Sequence, residues 1–411
     1  MKVSRVERHN INKNHPMYKI VDELSFKSKN VYNYANYIIR QEFVNNKKWI
    51  RYVDLSKQIK HTDCFMDLGS NSSQMTLRIL DKNWKSFFVA IKDWTKNPSK
   101  YLGRPKLPKY KDKFHGRFTV VLTNMQTHIY DNYLYFAYKD LRPFNNMIRT
   151  NITGKLLQTR FIPKADSYIL EMVYEKEVPD VNIAEPKNMI GIDLGLNNFV
   201  TMTNNIGGIP IVINGKGIKS INQYYNKQLA YYSSLAKTNN NLDWTKRLQQ
   251  ITTKRNNKID YFLHNSSKTV IDYCLFNNID TIIIGKNDGW KQKSKMGEKN
   301  NQNFIQIPHA EFINKLRYKC EDNGIKLIIT EESYTSKASF LDMDIIPKYR
   351  EKFDYKFSGK RIKRGLYKSG EGKLINADVN GAYNIIRKVF PNVFTNGIED
   401  IHLYPIVINV N

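Results

Sequence analysis

One short run constrains this chain more than any other. Met189-Ile-Gly-Ile-Asp193-Leu-Gly195 places a carboxylate inside an apolar strand. A charge there is costly unless it is paired or bound to a metal, and the nearby glycines let backbone approach a ligand. The plainer reading is a strand-end aspartate that caps a turn. Residues 198–202 and 210–213 alternate as two further strands, giving a three-strand antiparallel start. Two long helices come next, roughly 219–237 and 242–277. Thr281 to Ile284 is a strand, 308–323 a helix and Ile325 to Thr330 a strand. A crossover of that length makes the two strands parallel, with their C-terminal ends on one edge. Residues 335–375 read as irregular and basic, and 378–389 as a closing helix with Ala382, Ile385, Ile386 and Val389 on one face.

Three antiparallel strands followed by alternating helix and strand is the ribonuclease H arrangement. Metal-dependent cleavage of a phosphodiester needs acids converging from distant parts of a chain, where they hold two Mg2+ ions about 4 Å apart. In that architecture the first carboxylate sits on the first strand, another at the end of a later parallel strand, and a third near the start of the terminal helix. Asp193 suits the first position. Asp378, in Asn376-Ala-Asp378-Val-Asn-Gly-Ala-Tyr-Asn384, suits the last, against a plainer role as a helix N-cap.

These residues resemble a known family. The run Gly191 to Met202, GIDLGLNNFVTM, and the run Asn376 to Ile385, NADVNGAYNI, are similar to the RuvC nuclease core of TnpB. TnpB is encoded by many bacterial insertion sequences and is related to compact type V CRISPR nucleases and to Fanzor proteins. PKLPKYKDK at 105–113 and LDKNWKSFF at 80–88 extend the likeness over most of the chain. The resemblance implies a transposon-encoded, RNA-guided DNA endonuclease. Its implied partners are a guide RNA from the transposon end and target double-stranded DNA with a short flanking motif. Its implied cofactor is Mg2+ in a two-metal site. The implied fold is α+β and multidomain: an N-terminal helical recognition region plus a small β-barrel, then a C-terminal RNase H-like (RuvC) α/β nuclease domain. The expected boundaries are 1–16 for the first strand of a wedge β-barrel, 17–113 for the helical region and 114–180 for the rest of the barrel. The RuvC core follows at 187–334, an insert replacing the zinc-finger-like region at 335–375, the final RuvC segment at 376–395 and a tail at 396–411.

Two departures from the family matter. The usual second RuvC motif is an apolar strand ending in Glu, whereas Thr281-Ile-Ile-Ile284 runs into Gly285-Lys-Asn-Asp-Gly-Trp290. Either catalysis is lost and guided binding kept, as in nuclease-dead TnpB-derived repressors, or the carboxylate has moved. Glu332 lies just past the second parallel strand, and adjacent strands run about 4.8 Å apart, so it can reach the same space. Some TnpB proteins and Fanzors carry such a glutamate in a Glu-x-x-Thr-Ser pattern, matched here by Glu332-Ser-Tyr-Thr-Ser336. Glu331 is the alternative, but strand alternation points neighbours to opposite faces, so only one of the two serves; Asp288, Asp342 and Asp344 are weaker substitutes. The implied catalytic and metal-binding set is therefore Asp193, Glu332 and Asp378. The second departure concerns zinc. Many relatives carry two Cys-x-x-Cys pairs before the last aspartate, but Lys337 to Leu374 contains no cysteine. No zinc is expected, and Phe340, Tyr349, Phe353, Tyr355, Phe357 and Tyr367 are expected to pack in its place.

The charge balance points the same way. The 411 residues hold 65 Lys and Arg against 38 Asp and Glu, a net +27 that suits a polyanion partner. Anionic lipid is a lesser alternative, and no run of about 18 apolar residues suggests a membrane span. Hydrophobic residues at 41% argue against disorder. Cys64, Cys274 and Cys320 are too scattered for a disulfide scaffold or a four-cysteine zinc site. The N-terminus has no apolar signal region, so a cytoplasmic location is expected, nucleoid-associated if bacterial.

Ahead of the RuvC core, residues 17–44 and those after Ser72 and Ser73 read as helices, with the serines as caps. Runs 118–122, 127–130, 133–136 and 168–174 suggest a small antiparallel sheet or barrel. Between them, 98–113 is Pro-rich and basic, a linker or an extended arm. There Tyr101, Arg104, Lys106, Lys109 and Lys111 interleave rings with cations, as single-strand binders do. Lys360, Arg361 and Arg364 form a second run assigned to nucleic-acid contact. Lys286, Lys291, Lys293 and Lys295 surround a loop read as a lid or a plain exposed loop, and His309 reads as a helix-start residue. A DNA-strand transferase acting directly in transposition is a further reading of the same fold.

Overall fold

A computed structural model describes residues 1–181, 183–240, 242–287, 305–349, 356–394 and 402–410. The chain is a mixed α/β protein of two compact units, residues 2–177 and residues 178–411 with Met1. Asp288, Lys291, Lys293, Lys295, Phe353 and Tyr355 lie outside the described residues. No helix among the described residues is long and apolar enough to cross a membrane.

The first unit begins with β1 (Lys2–Ile11), followed by α1 (Tyr18–Asn46), α2 (Tyr52–Ile59), α3 (Asp63–Leu68) and α4 (Ser70–Lys96). Strands β2 (Val120–Thr123), β3 (Thr127–Tyr130), β4 (Tyr133–Phe136), β5 (Leu156–Pro163) and β6 (Tyr168–Glu177) complete it. The expected sheet or barrel resolves into a four-stranded antiparallel ladder, β1-β6-β5-β2, with β3 and β4 as a separate hairpin. Asp131 and Asn132 both take positive φ, 47° and 60°, in the two-residue hairpin turn. Ser72 and Ser73 are not caps. They are fully buried within α4, where the Ser73 hydroxyl donates to Phe65 O at 2.7 Å.

The basic segment 98–113 is no free linker. Lys29, Asn33, Asn36 and Arg40 form one stripe of α1, spaced four, three and four residues apart. Lys29 Nζ donates to Lys113 O at 2.7 Å, Asn33 Nδ2 to Lys111 O at 2.9 Å, and Asn36 Nδ2 and Arg40 Nη2 to Pro108 O at 3.0 and 2.7 Å. Prolines cannot donate to a ladder, so the helix satisfies the segment's carbonyls instead.

The second unit is built on a six-stranded sheet. Its strands are β7 (Met189–Leu194), β8 (Asn198–Asn204), β9 (Ile211–Asn214), β10 (Thr281–Gly285), β11 (Lys326–Thr330) and a late strand, Ile406–Ile408. The order is β11-β10-β7-β8-β9 and then the late strand. β7, β8 and β9 run antiparallel in turn, while β10 and β11 are parallel to β7. Helices α5 (Lys216–Asn240) and α6 (Lys246–Phe276) follow β9, and α7 (His309–Asp322) crosses from β10 to β11.

Side-chain alternation splits the sheet into two cores. Ile190, Ile192, Ile282 and Ile284 pack with Phe262, Leu263, Phe312 and Leu316 of α6 and α7. Met189 and Ile283 face the other way, onto Tyr383, Ile385 and Ile386 of the last helix, α8 (Ala377–Val389). Gly191 shares that face, and a Cβ there would sit 2.3 Å from Ala382 O, so only glycine allows α8 to lie this close to β7.

Two expectations are corrected. Residues 335–375 are not wholly irregular: β12 (Lys360–Lys363), β13 (Leu366–Lys368) and β14 (Leu374–Asn376) form a three-stranded antiparallel sheet that feeds directly into α8. The segment expected as a tail supplies β15, the late strand Ile406–Ile408, which pairs parallel with β9 from Ile406↔Ile211 to Ile408↔Ile213.

Candidate carboxylate site

Asp193 lies near the end of β7 on the face shared with Met189 and Gly191, and so faces α8. A Cβ at Gly381 of α8 would lie 3.0 Å from Asp193 Oδ2. Burial, then the nearby Glu332 and Asp378 carboxylates, push Asp193 up from 3.8 to about 8. Part of its surface still meets solvent at the sheet edge.

Asp378 occupies the first turn of α8, but it does not cap the helix. Asn376 does, accepting from the N–H groups of Asp378 and Val379 at 3.0 and 3.2 Å. The Asp378 carboxylate is thereby free to accept from Asn198 Nδ2 at 2.7 Å and from Arg361 Nη2 at 3.2 Å.

Glu332 follows β11. β10, its parallel neighbour, ends at Gly285, and a Cβ there would lie 2.9 Å from Glu332 Oε2. The carboxylate therefore fills the space that a side chain at the end of β10 would take. Asn287 braces it: its Nδ2 donates to Glu332 Oε1 at 3.4 Å and its Oδ1 accepts from Glu332 N at 3.1 Å. Burial and then Glu331 raise Glu332 to about 7, against an opposing pull from Lys388. Glu331 differs. Burial pushes it up, but hydrogen bonds from Lys388 and Ser333 outweigh that and hold it below the usual carboxylate range. Its partner Lys388 is 7% exposed.

Two other acids weighed for the site, Asp342 and Asp344, bond to the insert. Asp342 accepts from Gly370 N at 2.6 Å, and Asp344 accepts from Ser339 N at 2.7 Å and from Ser358. They anchor the insert, as do three residues of α8. Asn380 Oδ1 accepts from Phe340 N and its Nδ2 donates to Ala338 O, both at 2.9 Å. Asn384 Nδ2 donates to Thr335 O and Ala338 O at 2.9 and 2.8 Å, and Arg387 donates to Asp344 O at 3.1 Å. The expected aromatic cluster is only partly present. Phe340 and Tyr367 are buried together, Tyr349 is exposed, and Phe357 meets Tyr334.

The residues assigned to nucleic-acid contact fall into two groups. Arg104, Lys106, Lys109, Lys360 and Arg364 are exposed. Tyr101 donates to Asp93 at 2.8 Å, Lys111 Nζ lies over the rings of Tyr32 and Phe118, and Arg361 pairs with Asp378. His309 opens α7, and its Nε2 lies 3.2 Å from Gly195 O. One feature has no counterpart in the sequence reading. Between Lys216 and Ile259 stand nine Lys and Arg and a single acid, Asp243, and counting charge along that stretch finds it.

The donor set suits a hard divalent cation, which takes carboxylate oxygens. Burial, and then neighbouring carboxylates, raise two of the three acids, a cost that a cation relieves, and glycines at 285 and 381 leave room around the oxygens. As placed, no three Asp, Glu, His or Cys side chains among the described residues are grouped to hold one ion jointly.

Comparison with known proteins follows this geometry. The family described as OrfB_IS605, probable transposase, matches residues 171–291, and the Cas12f1-like TNB domain matches 309–385. The TnpB-like protein ORF457 of Acidianus two-tailed virus is 22% identical, over 88% of this chain and 81% of its own. In fold, the chain is similar to the Cas12f1 of a Cas12f1-sgRNA-target DNA complex, with a TM-score of 0.53 and 14% identity over 90% of this chain and 82% of that one. The fold is a mixed α/β one similar to Cas12f1, and the matched stretches are similar to OrfB_IS605 and Cas12f1-like TNB domains. Within that class, the matched stretches and the viral relative make the chain similar to TnpB proteins.

Proposed function

We propose that this protein is an RNA-guided DNA endonuclease whose second unit is RNase H-like (RuvC) and hydrolyses target DNA phosphodiesters with Mg2+. One observation carries the chemistry. Burial, and then the neighbouring carboxylates of Glu332 after β11 and Asp378 in the first turn of α8, raise Asp193 of β7 to about 8. Asp193, Glu332 and Asp378 would hold the metal. Bound there, it would activate water and stabilise the leaving oxygen. The chain's part is positional: α8 sets Asp378 beside Asn198, Gly285 makes room for Glu332, and Asn287 fixes that carboxylate's direction.

The net charge of +27 and the similarity to TnpB proteins support guide RNA and target DNA as partners, with residues 2–177 as the recognition part. On this reading the guide comes from the transposon end, base pairing reads the target and the protein reads a short flanking motif. The arm residues Arg104, Lys106 and Lys109 and the β12 cations are assigned to nucleic-acid backbone.

A nuclease-inactive guided repressor is the second reading, and one observation favours it: Arg361 neutralises Asp378 across 3.2 Å. Protein co-expressed with its flanking transposon-end RNA and given a guide-matched plasmid library with randomised flanks separates the two. Guide- and Mg2+-dependent cutting that Glu332→Gln abolishes supports the nuclease. Tight guided binding without cutting by the unaltered protein sinks it.

A further inference from the structure

The hairpin of α5 and α6 carries a groove that the carboxylate chemistry does not use. The helices pair antiparallel: Tyr225 OH lies 3.1 Å from Thr252 Oγ1, and Arg255 Nε donates to Asn222 Oδ1 at 2.8 Å. Between them lies a groove of about 410 Å³. Tyr224, Tyr225 and Gln228 line it from one helix, and Arg247, Lys254 and Lys258 from the other. None of the described lining residues is acidic. Lys254 and Lys258 are exposed and stand one helical turn apart, about 6 Å along the axis. Tyr224 is 66% exposed, an open ring beside the cations.

A groove lined by cations and by no acid attracts a polyanion. An open ring beside them offers a face for an unpaired base, and that combination recognises single strands. A slot between two packed helices has no room for a duplex. We infer that the α5–α6 groove holds single-stranded DNA on its way to the carboxylate edge.

The inference rests on the proposed nuclease reading, and connectivity selects the strand. β9 runs parallel to β7, so α5 starts on the sheet edge where Asp193 lies. Arg255 Nη2 donates to Gln306 O at 3.0 Å, and Asn226 and Gln306 exchange side-chain hydrogen bonds at 3.1 and 2.9 Å. Three residues on, His309 reaches Gly195 O, just beyond Asp193. A hydrogen-bonded path thus joins the groove wall to the site.

The test uses full-length Asp193→Asn protein loaded with guide RNA, so that bound DNA stays intact. Target DNA carries 5-iododeoxyuridine at successive positions of each strand, and illuminated samples are mapped by mass spectrometry. DNA attached to Tyr224 or Tyr225 is expected. The double substitution Lys254→Glu with Lys258→Glu should lower that yield at least about fivefold. Lys254→Gln with Lys258→Gln, which removes charge without reversing it, should lower it less, with unchanged thermal unfolding in both. DNA attached elsewhere but never to the hairpin overturns the inference. So does a guide RNA carrying 5-iodouridine that captures these tyrosines in place of DNA. Capture of DNA at the hairpin, with no cutting by the unaltered protein, would sink the nuclease reading and leave the groove standing.

Discussion

Two stripes of the same helix, α8, do opposite things with polar groups. Asp378, Gly381 and Ile385 lie along one stripe and face the strand ends that carry Asp193 and Gly285. Asn380, Asn384 and Arg387 lie along the other and pin the loop at 335–344. Both sets follow helical spacing. At the first stripe like charges crowd, and burial raises Asp193 and Glu332. At the second, buried amides meet backbone partners at 2.8–2.9 Å. Satisfied buried polar groups make a unique, rigid arrangement. Crowded like charges destabilise a fold and are kept where function uses them. The contrast separates what this helix holds together from what it holds apart.

The largest effect that sharpens the contrast is at the crowded stripe. Asp193→Asn or Glu332→Gln should lower guided cutting by about 10³-fold or more, the equivalent of several kcal/mol of transition-state stabilisation. The same substitutions should make the metal-free protein more stable, because each removes an acid whose ionised form burial disfavours. Cleavage rates and thermal unfolding of the same samples check both halves. A variant that loses cutting and stability together would break the distinction.

The stitched stripe should show the reverse. Asn384→Ala leaves Thr335 O without its Asn384 donor and removes the acceptor of Arg387 Nη1, all in a buried setting. Its expected cost is about 2–3 kcal/mol, a Tm lower by roughly 5–10 °C for a unit of this size. Cutting per folded molecule, measured well below that Tm, should change far less than in the carboxylate variants. Equal losses at the two stripes would mean that the amides also set the acids' geometry.

Burial of Asp193, with carboxylates beside it, also makes stability depend on pH. Asp193 goes from an ordinary 3.8 to about 8 on folding, so the folded chain keeps a proton that the unfolded chain has lost in that window. Metal-free stability should therefore fall as pH rises from about 4 to about 8. Mg2+ should restore it most at the alkaline end, where it no longer displaces a proton. Asp193→Asn should flatten both responses, and denaturant midpoints across that range read them directly. A steep fall that survives Asp193→Asn would assign the proton elsewhere.

The two stripes were not equally legible. Asp193 stands out because an acid in an apolar strand is locally improbable, and Asp378 because it opens a patterned helix. Glu332 needs more, namely a parallel β-α-β unit and a glycine where the neighbouring strand ends. The asparagines are invisible as structure, since their partners at 335–340 lie in an unpatterned stretch. β12 to β14 hide because β12 is exposed at every residue and therefore shows no alternation. β15 hides because its partner, β9, lies far back in the chain. The buried serines of α4 mislead for a related reason. Residue type suggests a cap, while tertiary packing places them against α3 and the β2–β3 turn.

Glu331 and Glu332 give the narrowest form of the comparison, two adjacent glutamates on the two sides of the divide. Glu331 holds Lys388, which also donates to Ser333 O at 2.7 Å. Glu331→Gln keeps the shape and an acceptor, and Lys388 keeps its second partner, so the ammonium is not stranded. With Glu331 37% exposed, solvent screens the pair and the expected stability loss is only about 1 kcal/mol. Cutting should be nearly unaffected, although removing the Glu331 charge lets Glu332 titrate slightly lower. Side-by-side cleavage by Glu331→Gln and Glu332→Gln decides which acid serves. If Glu331→Gln is the variant that abolishes cutting, the raised acid over Gly285 is a bystander, and the paired acid beside Lys388 belongs to the site.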